Sequence, residues 1–150
     1  MNNNDNIVTL YGHVGTAIEL REGASVPWAM FRVGSTPRWY DAATRTWKDH
    51  ETTWMTVKVF RSLAQNVAES LKVGDPVVVI GKLRTQSWTT KEGEARQSEI
   101  VEAHVVSHDL NRGITRYARV ERQPQAQAGP DADVEVLETL VGQTPTATAA

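Results

Sequence analysis

Three short stretches of this chain place apolar residues at every second position, two more read as strands from a continuous apolar run and a hairpin turn, and only one stretch repeats at the helical period. In a strand successive side chains point to opposite faces, so alternation predicts strands with one buried face. "NIVTLYGHVG" sets Val8, Leu10 and Val14 against Ile7, Thr9, Tyr11 and His13. "VPWAMFRVGS" sets Ala29, Phe31 and Val33 against Trp28, Met30 and Arg32. "TTWMTVKVF" sets Met55, Val57 and Val59 against Trp54, Thr56, Lys58 and Phe60. "DPVVVIGKLRTQSW" supplies a fourth strand, whose continuous apolar run at 77–80 predicts burial on both faces. "TTKEGEA" predicts a hairpin turn at Glu92 and Gly93, returning into a fifth strand over about residues 96–106.

Between the third and fourth strands, Leu63, Val67 and Leu71 fall at i, i+4 and i+8 with Ala64 and Ala68 beside them, which predicts a helix ending near Gly74. Three strands, a helix and two strands is the order of the OB-fold. The expectation is therefore an all-β chain, a five-stranded Greek-key barrel with a helix between strands 3 and 4. Residues 34–53 form a connection too long for a structureless loop in a small domain, and predict a protruding hairpin. It carries Trp39, Tyr40 and Trp47 interleaved with Arg38, Arg45 and Lys48. From residue 121 onward Gln, Pro, Ala and Thr dominate, which predicts a disordered acidic tail over 121–150 behind a domain at 1–120.

Charge divides the same way. Residues 1–120 carry 15 Lys and Arg against 13 Asp and Glu, a balance of +2, whereas 121–150 carry one Arg against five acids, a balance of −4. A mildly basic body suits an anionic partner. The chain has no cysteine, which excludes disulfides, thiolate metal sites and a thiol nucleophile, and suits a reducing cytoplasm. No apolar run is long enough to span a membrane, and "MNNNDN" does not read as a signal peptide. His13, His50, His104 and His108 are scattered without metal-ligand spacing. "IGKL" fails as a phosphate loop, since position 76 is proline and Leu83 stands where Ser or Thr is needed. No carboxylate pair or Ser/His/Asp set declares itself, so neither an enzyme nor a cofactor is expected.

The ligand is suggested by the faces that ought to meet water. Trp54 and Phe60 share a face with Lys58, and Trp88 shares one with Lys82, Arg84 and Gln86. Unpaired bases stack on aromatic rings whatever their identity, and cations between the rings meet the phosphates. The outer face is apolar because its ligand is.

These residues carry a resemblance to the bacterial single-stranded DNA-binding proteins, running from about residue 6 to 110. Its specific pieces are "TTWMTVKVFRSLAQNVAESLKVGDPVVVIGKLRTQSW", "KEGEARQSEIVEAHVV" and the "GHVG" turn. "FRVGSTPRWYD" and "TKEGE" are similar to the actinobacterial branch. The resemblance implies a cytoplasmic, nucleoid-associated homotetramer with single-stranded DNA wrapped over its outer faces. It implies stacking by Trp54, Phe60, Trp88 and either Trp39 or Tyr40, while Trp28 and Trp47 have no firm counterpart. Phosphate contacts are expected from Arg32, Lys58, Arg61, Lys82, Arg84 and Arg96. The branch also implies an extra strand at 113–120 that clamps neighbouring subunits. Housekeeping members close in Asp-Ile-Pro-Phe, which recruits partner proteins; "QTPTATAA" resembles instead the shorter, tipless paralogue and leaves the tail's partner unknown. Met55 replaces a His common at a subunit contact. The competing readings are an OB-fold protein-interaction module and an RNA binder.

Overall fold

The computed structural model describes residues 4–23 and 25–121. The segment Met1–Thr115 forms one compact unit; of the second, Arg116–Ala150, only 116–121 are described, exposed and without regular structure. The expected tail at 122–150 lies outside the described residues.

The strand β1 (Ile7–Val14) pairs antiparallel with β7 (Pro76–Thr89), which pairs antiparallel with β8 (Ala95–His108). The next step is parallel, from β8 to β6 (Thr53–Phe60), and β6 then pairs antiparallel with β3 (Pro27–Ser35). Last in the sheet is β2 (Glu19–Glu22), paired with β3. This corrects the expected five-stranded closed barrel. The sheet is mixed and six-stranded, in the order β1-β7-β8-β6-β3-β2, and it is not closed into a barrel: β2 stands free at its edge and β1 meets β3 only at His13↔Gly34 and Val14↔Val33. The extra strand was invisible to a periodicity reading because Glu-Leu-Arg-Glu is exposed throughout and is held by backbone pairing.

The 34–53 connection folds as a separate two-stranded ribbon, β4 (Arg38–Asp41) with β5 (Thr46–Asp49). Its turn is closed by Asp41, which accepts hydrogen bonds from the amides of Ala43 and Thr44, while Arg45 adopts φ 53°. Such an aspartate stabilises a turn by mimicking a backbone acceptor. Residues 113–120, expected to add a strand that clamps neighbouring subunits, carry no strand among the described residues of the single chain, where Ile114 and Tyr117 are almost wholly exposed.

The inner face holds Phe31, Val33, Val57, Val59, Val77, Val79 and Val101, all at most 2% exposed. The helix α1 (Arg61–Ser70) covers one end and adds Ala64 and Val67 to that cluster. The doubly buried run expected at 77–80 is corrected, because only Val77 and Val79 are buried while Val78 and Ile80 lie half-exposed on the outer face. A register shift between Ile80 and Gly81 leaves His104 unmatched, so that Val101 and Ala103 before it and Val106 after it all reach the core. A bulge of one residue inverts which positions face inward.

Candidate nucleic-acid interface

Alternation fixes which residues leave the core; strand pairing decides which of them meet. On the outer face Trp28 lies opposite Phe60, Met30 opposite Lys58, Arg32 opposite Thr56, and Gly34 opposite Trp54. The pairing continues across β8 into β7, where Lys58 neighbours Glu102 and Glu102 neighbours Lys82, while Thr56 neighbours Ile100 and Ile100 neighbours Arg84. Arg32, Lys58, Lys82 and Arg84 therefore occupy two adjacent rows of one face, across four strands spaced about 4.8 Å apart.

Rings and cations interleave on this face. The Arg32 guanidinium lies 5.2 Å from the Trp54 ring centre, and the Lys58 ammonium lies 5.0 Å from Trp28 and 5.1 Å from Phe60. Trp54 rests over two glycines. A Cβ added at Gly34 would stand 2.9 Å from its indole, and one added at Gly15 would overlap it. The missing side chains at 15 and 34 make the seat of that ring.

The other predicted residues sit on the two projecting ribbons and at the helix start. In the β4–β5 ribbon Trp39 pairs with Lys48, whose ammonium lies 5.6 Å from the indole, whereas Tyr40 packs edge-on against Trp47 at 5.6 Å. Adjacent strand positions face opposite ways, so Trp39 and Tyr40 present different sides of the ribbon. Lys48 is also ion-paired with Asp41, and Arg38 with Asp49 at 2.8 Å. In the β7–β8 hairpin Trp88 pairs with Arg96, which is bridged to Glu94 at 2.8 Å. Trp39, Tyr40, Trp54 and Trp88 are each 41–50% exposed, and Phe60 is half-buried. Arg61 stands apart, exposed at the first position of α1 with φ 57°.

Two residues escaped the sequence reading. Trp28 belongs to the same face as Phe60, a placement its alternation with Ala29 already contained. Asp5 accepts ion pairs from Lys82 at 2.7 Å and Arg84 at 3.0 Å, a contact that no local pattern could reveal. The Lys82 hydrogen bond, aided by Arg84, holds the Asp5 carboxyl below the usual carboxylate range. Among the described residues no cluster of three or more His, Asp or Glu side chains is arranged to hold a metal, and no helix is long and apolar enough to cross a membrane.

A family model described as "Single-strand binding protein family" matches residues 5–109. The chain belongs to that family. Similar proteins include Single-stranded DNA-binding protein 2 of Streptomyces avermitilis, 41% identical over 126 residues, covering 84% of this chain and 77% of the relative. Single-stranded DNA-binding protein 1 of Streptomyces coelicolor is 35% identical over 142 residues, covering 95% and 90%. Among solved structures, the small single-stranded DNA-binding protein from Streptomyces coelicolor matches with TM-score 0.64 and 37% identity, covering 73% of this chain and 99% of that one. The match to the family takes in β1 to β8 and every candidate contact residue.

Proposed function

We propose that single-stranded DNA lies across the face built by β3, β6, β8 and β7, with bases stacked on Trp54, Phe60, Trp88 and a ring of the β4–β5 ribbon, and with phosphates met by Arg32, Lys58, Lys82, Arg84, Arg96 and Arg61. The chain is a sequence-independent binder and protector of single-stranded DNA, the work of its family in replication, recombination and repair. Its activity is binding rather than catalysis, and its family belongs with the cytoplasmic DNA. Of the ribbon rings we assign stacking to Trp39, which has the Lys48 cation beside it, and treat Tyr40 as the packing partner of Trp47. The observation that carries the reading is the shared face of Trp54, Arg32, Lys58 and Phe60, where rings alternate with cations.

We also propose a homotetramer. Ile7, Tyr11 and Val105 are exposed, and the pairing of β1, β7 and β8 sets Tyr11 beside Val78 and Val105 beside Ile80 on one sheet face. A contiguous apolar patch of this kind marks an association surface, and a second copy of the chain is its occupant.

Titration with oligo(dT), on protein whose mass in solution has been measured, tests the binding reading. Stacking quenches tryptophan fluorescence, and added salt restores it as cations re-associate with the phosphates, with a log–log slope of about 0.7 for each phosphate contact. Protein that neither quenches nor retains a labelled oligomer at low salt refutes the reading. Preference for a matched RNA oligomer transfers it to RNA.

A further inference from the structure

We infer that Trp28 and Arg21 form an additional nucleotide subsite, in which the Trp28 indole stacks on a base of the single strand and Arg21 meets a phosphate. The inference rests on the reading of the outer face as the path of single-stranded DNA, and extends that path from β6 across β3 to the edge strand β2.

Four observations carry it. The register sets Arg21, Trp28 and Phe60 in one row across β2, β3 and β6. Trp28 is flanked by positive charge, with the Arg21 guanidinium 5.3 Å and the Lys58 ammonium 5.0 Å from its ring centre. Lys58 stands over both Trp28 and Phe60, so one cation serves two rings, and among the described residues it is held by these ring contacts with no ion pair. Beside the row a cleft of about 290 Å³ opens between Arg21, Trp28, Met30 and Arg32.

The surroundings do not suit a ring placed there for packing alone. Trp28 is half-buried and lies outside the core cluster, although its neighbours in sequence, Ala29 and Phe31, are inside it. Its cross-strand partners are the Arg21 guanidinium and the Phe60 ring, its diagonal neighbours are Lys58 and Glu19, and the exposed Met30 follows two positions along β3. A cation over an exposed ring is held more weakly than a stacked base, so a base displaces the cation from the ring and leaves it free to meet the adjoining phosphate. Arg21 is available for that exchange, since its salt bridge to Glu19 is long, at 4.0 Å, and fully at the surface.

The test compares the full chain with Trp28→Ala, Trp28→Phe, Arg21→Gln and Trp54→Ala, by anisotropy of a labelled oligo(dT), with the solution mass of each. Trp28→Ala should weaken binding by about five- to hundredfold at unchanged mass, and Trp28→Phe should recover most of the loss because a stacking face remains. Arg21→Gln should flatten the salt dependence by about 0.7, the loss of one phosphate contact. If Trp54→Ala is impaired while Trp28→Ala and Arg21→Gln behave as the parent, the subsite is refuted and the main path survives. A changed mass in Trp28→Ala makes the ring a subunit contact and also refutes it. If Trp54→Ala is unimpaired too, or the parent does not bind, the reading of the whole face falls. Should Trp28→Ala fail to fold, the salt slope of Arg21→Gln and full retention of affinity by Trp28→Phe decide the matter.

Discussion

The Trp54 indole lies on Gly15, with no room for a Cβ between them, and Gly34 forms the other half of its seat. A residue from β6 is thus oriented by a turn that follows β1 and by a strand position in β3. Gly15 is further tied to this arrangement because its amide donates to the Arg32 carbonyl at 2.8 Å. Gly15→Val should therefore displace the ring and reduce oligo(dT) affinity nearly as far as Trp54→Ala, by about 1 to 3 kcal/mol, although residue 15 itself supplies no stacking group. Fluorescence titration measures the affinity, and an unchanged near-UV spectrum with unchanged binding would disprove the coupling.

Asp5 acts as a resident anion on two of the proposed phosphate ligands, Lys82 and Arg84. Surface ion pairs of this sort contribute little to stability, so a phosphate can displace the carboxylate. Asp5→Asn should bind oligo(dT) more tightly at low salt, with a steeper salt dependence of about 0.7 for each cation released. Because its carboxyl is held below the usual range, Asp5 remains charged throughout mildly acidic conditions, and affinity should show no Asp5 titration between pH 7 and pH 5. Equal salt slopes in Asp5→Asn and the parent would dispose of this role.

Asp75 joins the end of the helical connection to the last strand. Its carboxylate accepts from the Lys72 amide at 2.9 Å and lies 3.2 Å from His108 Nε2. The Lys72 amide is the main cause of its lowered carboxyl, assisted by His108. A depressed carboxylate stabilises the fold above its unfolded value, near pH 3.9, and that contribution disappears as pH falls through the lower folded value. Asp75→Asn should cost about 1 kcal/mol at pH 7, and the gap from the parent should shrink below about pH 4. Thermal melts at pH 7, 5 and 3 give the comparison.

At the bulge, a Cβ on Gly81 would run into the backbone of β8, within 2.7 Å of the Ala103 Cα. Backbone cannot give way as a flexible side chain does. Gly81→Val should destabilise the protein by about 1 to 3 kcal/mol in urea unfolding, and should broaden the amide spectrum of β7 and β8 as their register loosens. A stable variant with native register would mean that the bulge is more adaptable than its close contact implies.

The apolar outer patch of β1, β7 and β8 yields a separate prediction. Val105→Glu places a charge beside Ile80, in the outer patch shared by β1, β7 and β8. The proposed tetramer should fall to a smaller species by light scattering, while short oligo(dT) still quenches fluorescence. An unaltered mass would move the subunit contact elsewhere.

Particular residues divide what could be read early from what could not. The inward set Ala29, Phe31, Val33, Val57 and Val59, the helix around Val67, the turn at Glu92 and Gly93, and the outward rings all follow from local period. The strand β2 carries no such pattern, and the inversion at His104 interrupts one, so neither could be read from spacing. The closed five-stranded arrangement was inferred from element order alone, and order says nothing about how fully the ends of a sheet meet.

Alternation is a local property. Each peptide unit sends consecutive side chains to opposite faces, so a list of residues suffices to tell that Trp28, Trp54 and Phe60 point away from Val57 and Phe31. Adjacency is not local, because hydrogen bonding between distant strands sets the neighbours. Pairing brought Trp28 to Phe60, the fold carried Asp5 to Lys82 and Arg84, and close backbone approach cleared a place for Trp54 over Gly15 and Gly34. The chain's own pattern chose the surface for a single strand, and the assembled sheet chose which rings and charges stand side by side on it.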